Sequence, residues 1–177
     1  MKNRFVHYGL VLLVIAAISA GILGKVNDFT KIVIKENGEK AVNAARREVL
    51  SSAVTFDAAK AVSADGLEFI PGYDEAGNVV GYVTTVASPG YAADIVFVMG
   101  ITKDGQISGM NVISSQETPG LGAKIAGKEW QDHWVGKDSS YQFTKSADAF
   151  AGATISPRAV YTGLMRALKA YDTGVRE

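Results

Sequence analysis

Phe5 to Gly24, FVHYGLVLLVIAAISAGILG, is a run of 20 residues with no formal charge apart from what His7 takes up. At the rise of an α-helix such a run spans about 30 Å, the hydrocarbon thickness of a bilayer. A cleaved signal peptide is the competing reading, because Ser19 and Ala20 are small enough to mark a cleavage site. The apolar region of a signal peptide extends only ~7–15 residues, however, and this stretch is longer. The run therefore predicts a retained, single-pass membrane anchor. Lys2 and Arg4 precede it with no acidic residue, so the positive-inside rule keeps the amino terminus in the cytoplasm of a cell inner or plasma membrane and sends the main domain across. Lys25, Lys31 and Lys35 on the far side pull against that orientation. Ala16 with Ala20, Ala17 with Gly21 and Ala20 with Gly24 repeat small side chains four apart, a spacing that lets another helix approach closely in lipid.

The charges are spread accordingly. Over all 177 residues, 18 Lys and Arg balance 18 Asp and Glu, with +2 in the first 24 residues and −2 in the rest. That balance does not provide the basic surface on which binding by counterion release depends, so no nucleic-acid partner is expected. The chain has no cysteine, which removes disulfides, thiolate-held zinc, iron–sulfur clusters and thiol catalysis together. His7 and His133 are its only imidazoles, too few for a multi-histidine metal site. Its chemistry must come from carboxylates, hydroxyls, the backbone or a bound cofactor.

Beyond the anchor the pattern reads as α+β, one domain with a mostly antiparallel sheet flanked by helices. The expected boundaries are 1–24 for the cytoplasmic stub and transmembrane helix, 25–65 for a connecting helical segment and 66–177 for the domain. Lys40–Val54 sets Val42, Ala45, Val49 and Ala53 on one stripe at helical spacing. Strands are expected over Leu67–Pro71, Val79–Ala87, Ala92–Thr102 and Gln106–Ser114, with hairpin connections at Gly77-Asn78 and Asp104-Gly105. Ser156 followed by Pro157 reads as an N-cap and first helical residue, and Val160, Leu164, Leu168 and Tyr171 recur at helical spacing up to a stop at Gly174. Trp130 and Trp134 read as core. His133 reads as a surface or packing residue, since its sequence neighbour Asp132 would not face it on a helix. GAKIAGK, Gly122 to Lys128, approaches a P-loop, but Glu129 stands where a magnesium-binding Ser or Thr is required, and a carboxylate there would repel phosphate.

Two glycine-bearing loops remain. Glu117-Thr118-Pro119-Gly120-Leu121-Gly122 follows the last expected strand, and Ala151-Gly152-Ala153-Thr154 leads into the last helix. Small residues ahead of a helix N-terminus permit close approach of a phosphate, which free N–H groups and the helix dipole favour. The commoner role of such a loop is tight packing alone.

Taken together and in this order behind one membrane helix, ETPGLGA (Glu117–Ala123) and DAFAGAT (Asp148–Thr154) resemble the FMN-binding domain family. The similarity is to the G subunit of the Rnf complex, the ion-translocating ferredoxin:NAD oxidoreductase of prokaryotic membranes. The C subunit of the sodium-translocating NADH:quinone oxidoreductase is a near relative. The resemblance implies FMN joined covalently, by a phosphoester, to the threonine that ends the motif, here Thr154, with Asp148 at the start of the motif and Gly152 and Ala153 beside the attachment point. A magnesium-dependent flavin transferase using FAD makes that bond in the family. Where the family carries Ser or Thr, this chain has Ala151, which keeps the small size of the turn and lacks the hydroxyl. The phosphate is then expected at the head of the helix capped by Ser156, with donors from Arg158, Ala159 and nearby loop residues, and the loop containing Glu117, Thr118, Gly120, Leu121 and Gly122 against the flavin. The implied role is a redox-carrier subunit, with no catalytic residue and no metal of its own, passing electrons between iron–sulfur and flavin centres of neighbouring membrane subunits. The alternatives are the corresponding quinone-reductase protein, and a membrane-anchored binding or scaffold module without flavin.

Overall fold

The computed structural model describes residues 2–176. Its first element is one long helix, α1 (Lys2–Val49). The chain divides into two compact units, Met1–Lys40 and Ala41–Glu177. In the first unit the apolar stretch of α1 runs over Arg4–Lys31, 28 residues that are long and apolar enough to cross a membrane. Phe5, Leu10, Leu13, Ile15, Ile22 and Phe29 are all exposed on it. A helix that presents large apolar side chains all round is matched to lipid rather than to water. The expected span, Phe5 to Gly24, lies inside this stretch.

The second unit is built on an antiparallel sheet of six strands. They are β1 (Thr55–Phe56), β2 (Val62–Ala64), β3 (Leu67–Tyr73), β4 (Val79–Pro89), β5 (Asp94–Thr102) and β6 (Ile107–Ser114). The order across the sheet is β1-β3-β4-β5-β6, with β2 also paired to β3. The four long strands fall where β-branched runs place them. Both expected hairpin turns form, with Gly77 and Gly105 at φ +80° and +81°, the left-handed region that glycine enters without a side-chain clash. The two shortest strands, β1 and β2, carry too few residues for an alternating pattern to show.

Alternation along β5 divides the core. Ile95, Phe97, Met99 and Ile101 face one side and pack with Val160, Leu164 and Leu168 of α4, the last helix (Ile155–Gly174), whereas Val98 faces the other side with Ile70 and Val83. Onto that second face comes the carboxyl end of α1. Ala45, Val49 and Ala53 of the expected stripe are buried there, and Val42 is half-buried. The helix ends at Val49 rather than continuing to Val54. Leu50 closes a last turn on Arg46, and the Val54 N–H then donates to Tyr73 at 2.7 Å, so the chain is drawn into the sheet.

A row of glycines makes room for that helix end. Gly72 pairs with Gly81 and Gly100 with Gly109, so β3, β4, β5 and β6 each contribute one. A Cβ on Gly100 would lie 2.4 Å from the Val49 carbonyl oxygen, one on Gly109 would lie 2.9 Å from Val49 Cα, and one on Gly72 would lie 2.8 Å from Ala53 Cβ. The Ser108 hydroxyl donates to the Val49 carbonyl at 2.6 Å, satisfying an acceptor that the end of the helix leaves open. Backbone cannot retreat as a flexible side chain can, so Gly100→Ala is expected to destabilise the protein by about 1–3 kcal/mol. Thermal denaturation of the detergent-solubilised protein checks this, with Gly77→Asn in an open turn as the control expected to change little.

Candidate functional site

The loop after β6 and the start of α4 are joined by one carboxylate. Glu117 is buried, with 5% of its surface exposed. Its Oε1 accepts the N–H groups of Tyr91 at 2.8 Å and Ala92 at 3.1 Å, in the turn between β4 and β5. Its Oε2 accepts the hydroxyl of Ser156 at 2.5 Å, in the first turn of α4. Three segments distant in sequence therefore meet on one side chain. Glycines flank it because nothing larger fits: a Cβ on Gly90 would stand 2.4 Å from Oε1, and one on Gly122 would stand 2.4 Å from Ser156 Oγ and 2.8 Å from Oε2. Among the described residues no Lys, Arg or His forms an ion pair with Glu117. Burial would push its carboxyl pKa up, but the bonds from Ser156, Ala92 and Tyr91 outweigh it and hold the group below the ordinary carboxylate range.

Ser156 thus serves Glu117 rather than capping the helix. The N-cap is Thr154, at φ −103° and ψ −26°, and Pro157 is the third helical residue. Proline is tolerated there because the first-turn N–H groups lack intrahelical partners in any case. The expectation that Arg158 and Ala159 would be the open donors is also corrected, since the Arg158 N–H is consumed by the Thr154 carbonyl at 3.1 Å. Ile155 and Ser156 carry the N–H groups with no carbonyl four residues back inside the helix. The Thr154 hydroxyl makes no capping bond. Ahead of it, Phe150 and Ala153 exchange backbone hydrogen bonds of 3.2 and 3.0 Å around a tight turn, and Gly152 takes φ +79°. Ala151 occupies an exposed position in that turn.

Both loops line one cavity of about 300 Å³, at the small end of the usual range for ligand sites. Glu117, Thr118, Leu121 and Gly122 come from the first loop, and Gly152, Ala153, Thr154 and Ser156 from the second. A Cβ on Gly152 would be 3.6 Å from Leu121 Cδ2, which measures how closely the loops approach. Thr154 and Gly152 also border an open cleft lined by Lys145, Ser146, Ala149, Phe150 and Ala151. Two of the expected residues are placed elsewhere: Gly120 is exposed at φ +75° in the turn, and Asp148 lies behind the site. Tyr91 and Ile155, which belong to neither motif, also line the cavity. The long β4–β5 hairpin delivers Tyr91, and no local pattern announces it.

Asp148 is fully buried, the last residue of the short helix α3 (Lys145–Asp148), which follows α2 (Lys128–Asp132). Its carboxylate accepts the Thr144 N–H at 2.6 Å and the Tyr141 hydroxyl at 2.8 Å, and pairs with His133 Nε2 at 2.6 Å, while its carbonyl accepts Trp130 Nε1 at 2.9 Å. His133 is therefore no bystander. Its acidic partner is 15 residues away, a pairing that sequence spacing does not reveal. Trp130 and Trp134 pack edge to face at 5.5 Å inside the core, as expected. Burial works against ionisation of Asp148, yet the Thr144, His133 and Tyr141 contacts keep its pKa below the ordinary range. Burial and Asp148 together push the Tyr141 phenol up to about 12.

Glu117 and Asp148 both ionise more readily folded than unfolded, so each stabilises the fold above its ordinary pKa and loses that contribution as pH falls through the depressed one. Stability is accordingly expected to be flat above about pH 5 and to drop below about pH 4. Asp148→Asn, which removes a buried acceptor's charge, is expected to lower stability at neutral pH by about 2–4 kcal/mol and to flatten part of the acid slope. Urea unfolding from neutral pH down to about pH 3 checks both.

Comparison with known proteins gives this geometry its setting. Residues 90–169, which hold both loops, match the FMN-binding domain family. The G subunit of the Na(+)-translocating ferredoxin:NAD(+) oxidoreductase complex of Acetobacterium woodii is 33% identical over 93% of this chain and 90% of its own length. The G subunit of the ion-translocating oxidoreductase complex of Methanosarcina acetivorans is 33% identical over 90% of both chains. The fold is similar to that of the crystal structure of NqrC from Shewanella oneidensis, with a TM-score of 0.52 and 19% identity over 70% of each chain. The chain belongs to the FMN-binding domain family of these G-subunit proteins.

Proposed function

We propose that this chain is the electron-carrying G subunit of a membrane-bound, ion-translocating ferredoxin:NAD oxidoreductase, holding FMN through a phosphoester on Thr154. The observation that carries the reading is the position of the Thr154 hydroxyl. It stands at the head of α4, unused for capping, where the two motif loops meet at one cavity. Full-length likeness to G-subunit proteins supports the assignment to that complex.

The residues present fit the group. Thr154 Oγ1 would hold FMN as a phosphoester, giving up its proton while the pyrophosphate of an FAD donor is cleaved and AMP leaves. A flavin transferase is the partner that brings this about. The open cleft on the Lys145 side of Thr154 gives the hydroxyl an approach from solvent. At that position the Ile155 and Ser156 N–H groups and the helix dipole would hold the phosphate's negative charge. Gly122 and Gly152 keep the walls close, and Leu121 offers apolar surface beside them. Bound FMN supplies one- and two-electron redox chemistry, and the protein supplies attachment, orientation and local field.

The anchor stretch of α1 ties this site to the bilayer, with the amino terminus cytoplasmic and the FMN-binding domain outside. There a covalent bond keeps the carrier from losing a cofactor that its surroundings would not replace. Neighbouring membrane subunits bearing iron–sulfur and flavin centres are its electron partners.

Thr154→Ala is expected to abolish flavin fluorescence in the protein band of a denaturing gel while leaving the circular dichroism of the apoprotein unchanged. Thr154→Ser, which keeps a hydroxyl, is expected to retain the band. A fluorescent band that persists in Thr154→Ala would overturn the assignment.

A further inference from the structure

The proposed cofactor cavity has a buried anion in its wall, and no cation among the described residues pairs with it. Glu117 is held by two backbone N–H groups and one hydroxyl, all neutral donors. Among the described residues its carboxylate takes part in no ion pair. Neutral dipoles stabilise a buried carboxylate without cancelling its net charge. The position is also set by its bonds, because both carboxylate oxygens are engaged, Oε1 by Tyr91 and Ala92 and Oε2 by Ser156. Glu117 and Thr154 line the same cavity of about 300 Å³. A sphere of that volume is ~8 Å across, about one Debye length at physiological ionic strength, and buried charges are screened less than exposed ones. A charge in this cavity therefore interacts with the carboxylate more strongly than it would across bulk water.

From this geometry we infer that Glu117 is a positioning residue with an electrostatic role, in which it fixes, in the wall of the flavin cavity, one negative charge that no cationic side chain neutralises, and lowers the flavin's midpoint potential. Uptake of electrons places negative charge on the cofactor, and a fixed anion nearby disfavours that state relative to the oxidised one. The inference rests on the flavin reading above. It assigns Glu117 something that loop closure alone does not need, since a neutral amide of the same shape would also bridge Tyr91 and Ser156.

Two substitutions separate charge from shape. Glu117→Gln removes the charge and keeps the size that Gly90 and Gly122 permit. Ser156→Ala keeps the charge and removes one of the three donors that partly offset it, so the field in the cavity grows. Each variant and the wild type are prepared as full-length, flavin-loaded protein in detergent at pH 8. Each is titrated with dithionite in the presence of redox dyes, and the flavin absorbance is followed. The midpoint is expected to shift up in Glu117→Gln and down in Ser156→Ala. Simple loosening of the loops would move both variants the same way. Shifts of the same sign, or no shift in either, would overturn the inference. Should Glu117→Gln fail to load flavin, Ser156→Ala decides alone: a lowered midpoint supports the inference and an unchanged or raised one refutes it. A wild-type protein without covalent flavin would instead refute the reading on which the inference depends, and mass measurement shows this before any titration.

Discussion

Glu117 has to be where it is for the two motif loops to be neighbours. A buried carboxylate is tolerable only with enough donors around it, and here they come from distant parts of the chain: the β4–β5 turn, and Ser156 at the start of α4, reaching a loop that follows β6. Removing any one would leave the charge under-satisfied, so the bonds hold the strand turn, the loop and the helix in one arrangement. The cavity follows from that arrangement, as do the glycines at 90 and 122, whose Cβ positions the carboxylate and its partner already occupy. The helix starts ahead of Ser156, and Thr154 stands at its N-cap with a hydroxyl that makes no capping bond.

The opposite side of the sheet answers a different constraint. A row of four glycines thins β3 to β6: Gly100 and Gly109 let the Val49 backbone at the end of α1 lie directly on the sheet, and Gly72 and Gly81 face the Leu50 side chain that follows. Val49 and Leu50 there are almost wholly buried, at 1% exposure each. The sheet thus receives α4, headed by Thr154, on one face and the end of α1 on the other. Asp148 performs a comparable service behind the loop that ends in Thr154. It gathers Trp130, His133, Tyr141 and Thr144, so the turn that presents Gly152 and Thr154 springs from a fixed point.

Local features are the legible ones. The long strands, the two glycine hairpins, the anchor and the last helix all announce themselves through periodicity and turn chemistry, which depend on residues a few positions apart. The motif residues of both loops are legible through resemblance, and eight of the expected residues line the cavity. What cannot be read locally depends on distance in sequence. Ser156 looks like a cap followed by proline until Glu117, 39 residues earlier, claims its hydroxyl. His133 looks unpartnered until Asp148 arrives from another segment, and Tyr91 enters the site only because a hairpin folds back. The glycines of the sheet look like ordinary strand interruptions, since their purpose lies in a helix they touch only in the fold.

The central claim is that Thr154 carries the flavin, and peptide mapping tests it most directly. Trypsin should release Ser146–Arg158, SADAFAGATISPR, from protein isolated from its native membrane. That peptide holds three hydroxyl residues, Ser146, Thr154 and Ser156, and fragment masses tell them apart. The account predicts a peptide heavier by FMN less one water, with the added mass on fragments containing Thr154 and absent from Ser146 and Ser156. A peptide found only unmodified, or one carrying the flavin on either serine, would contradict it.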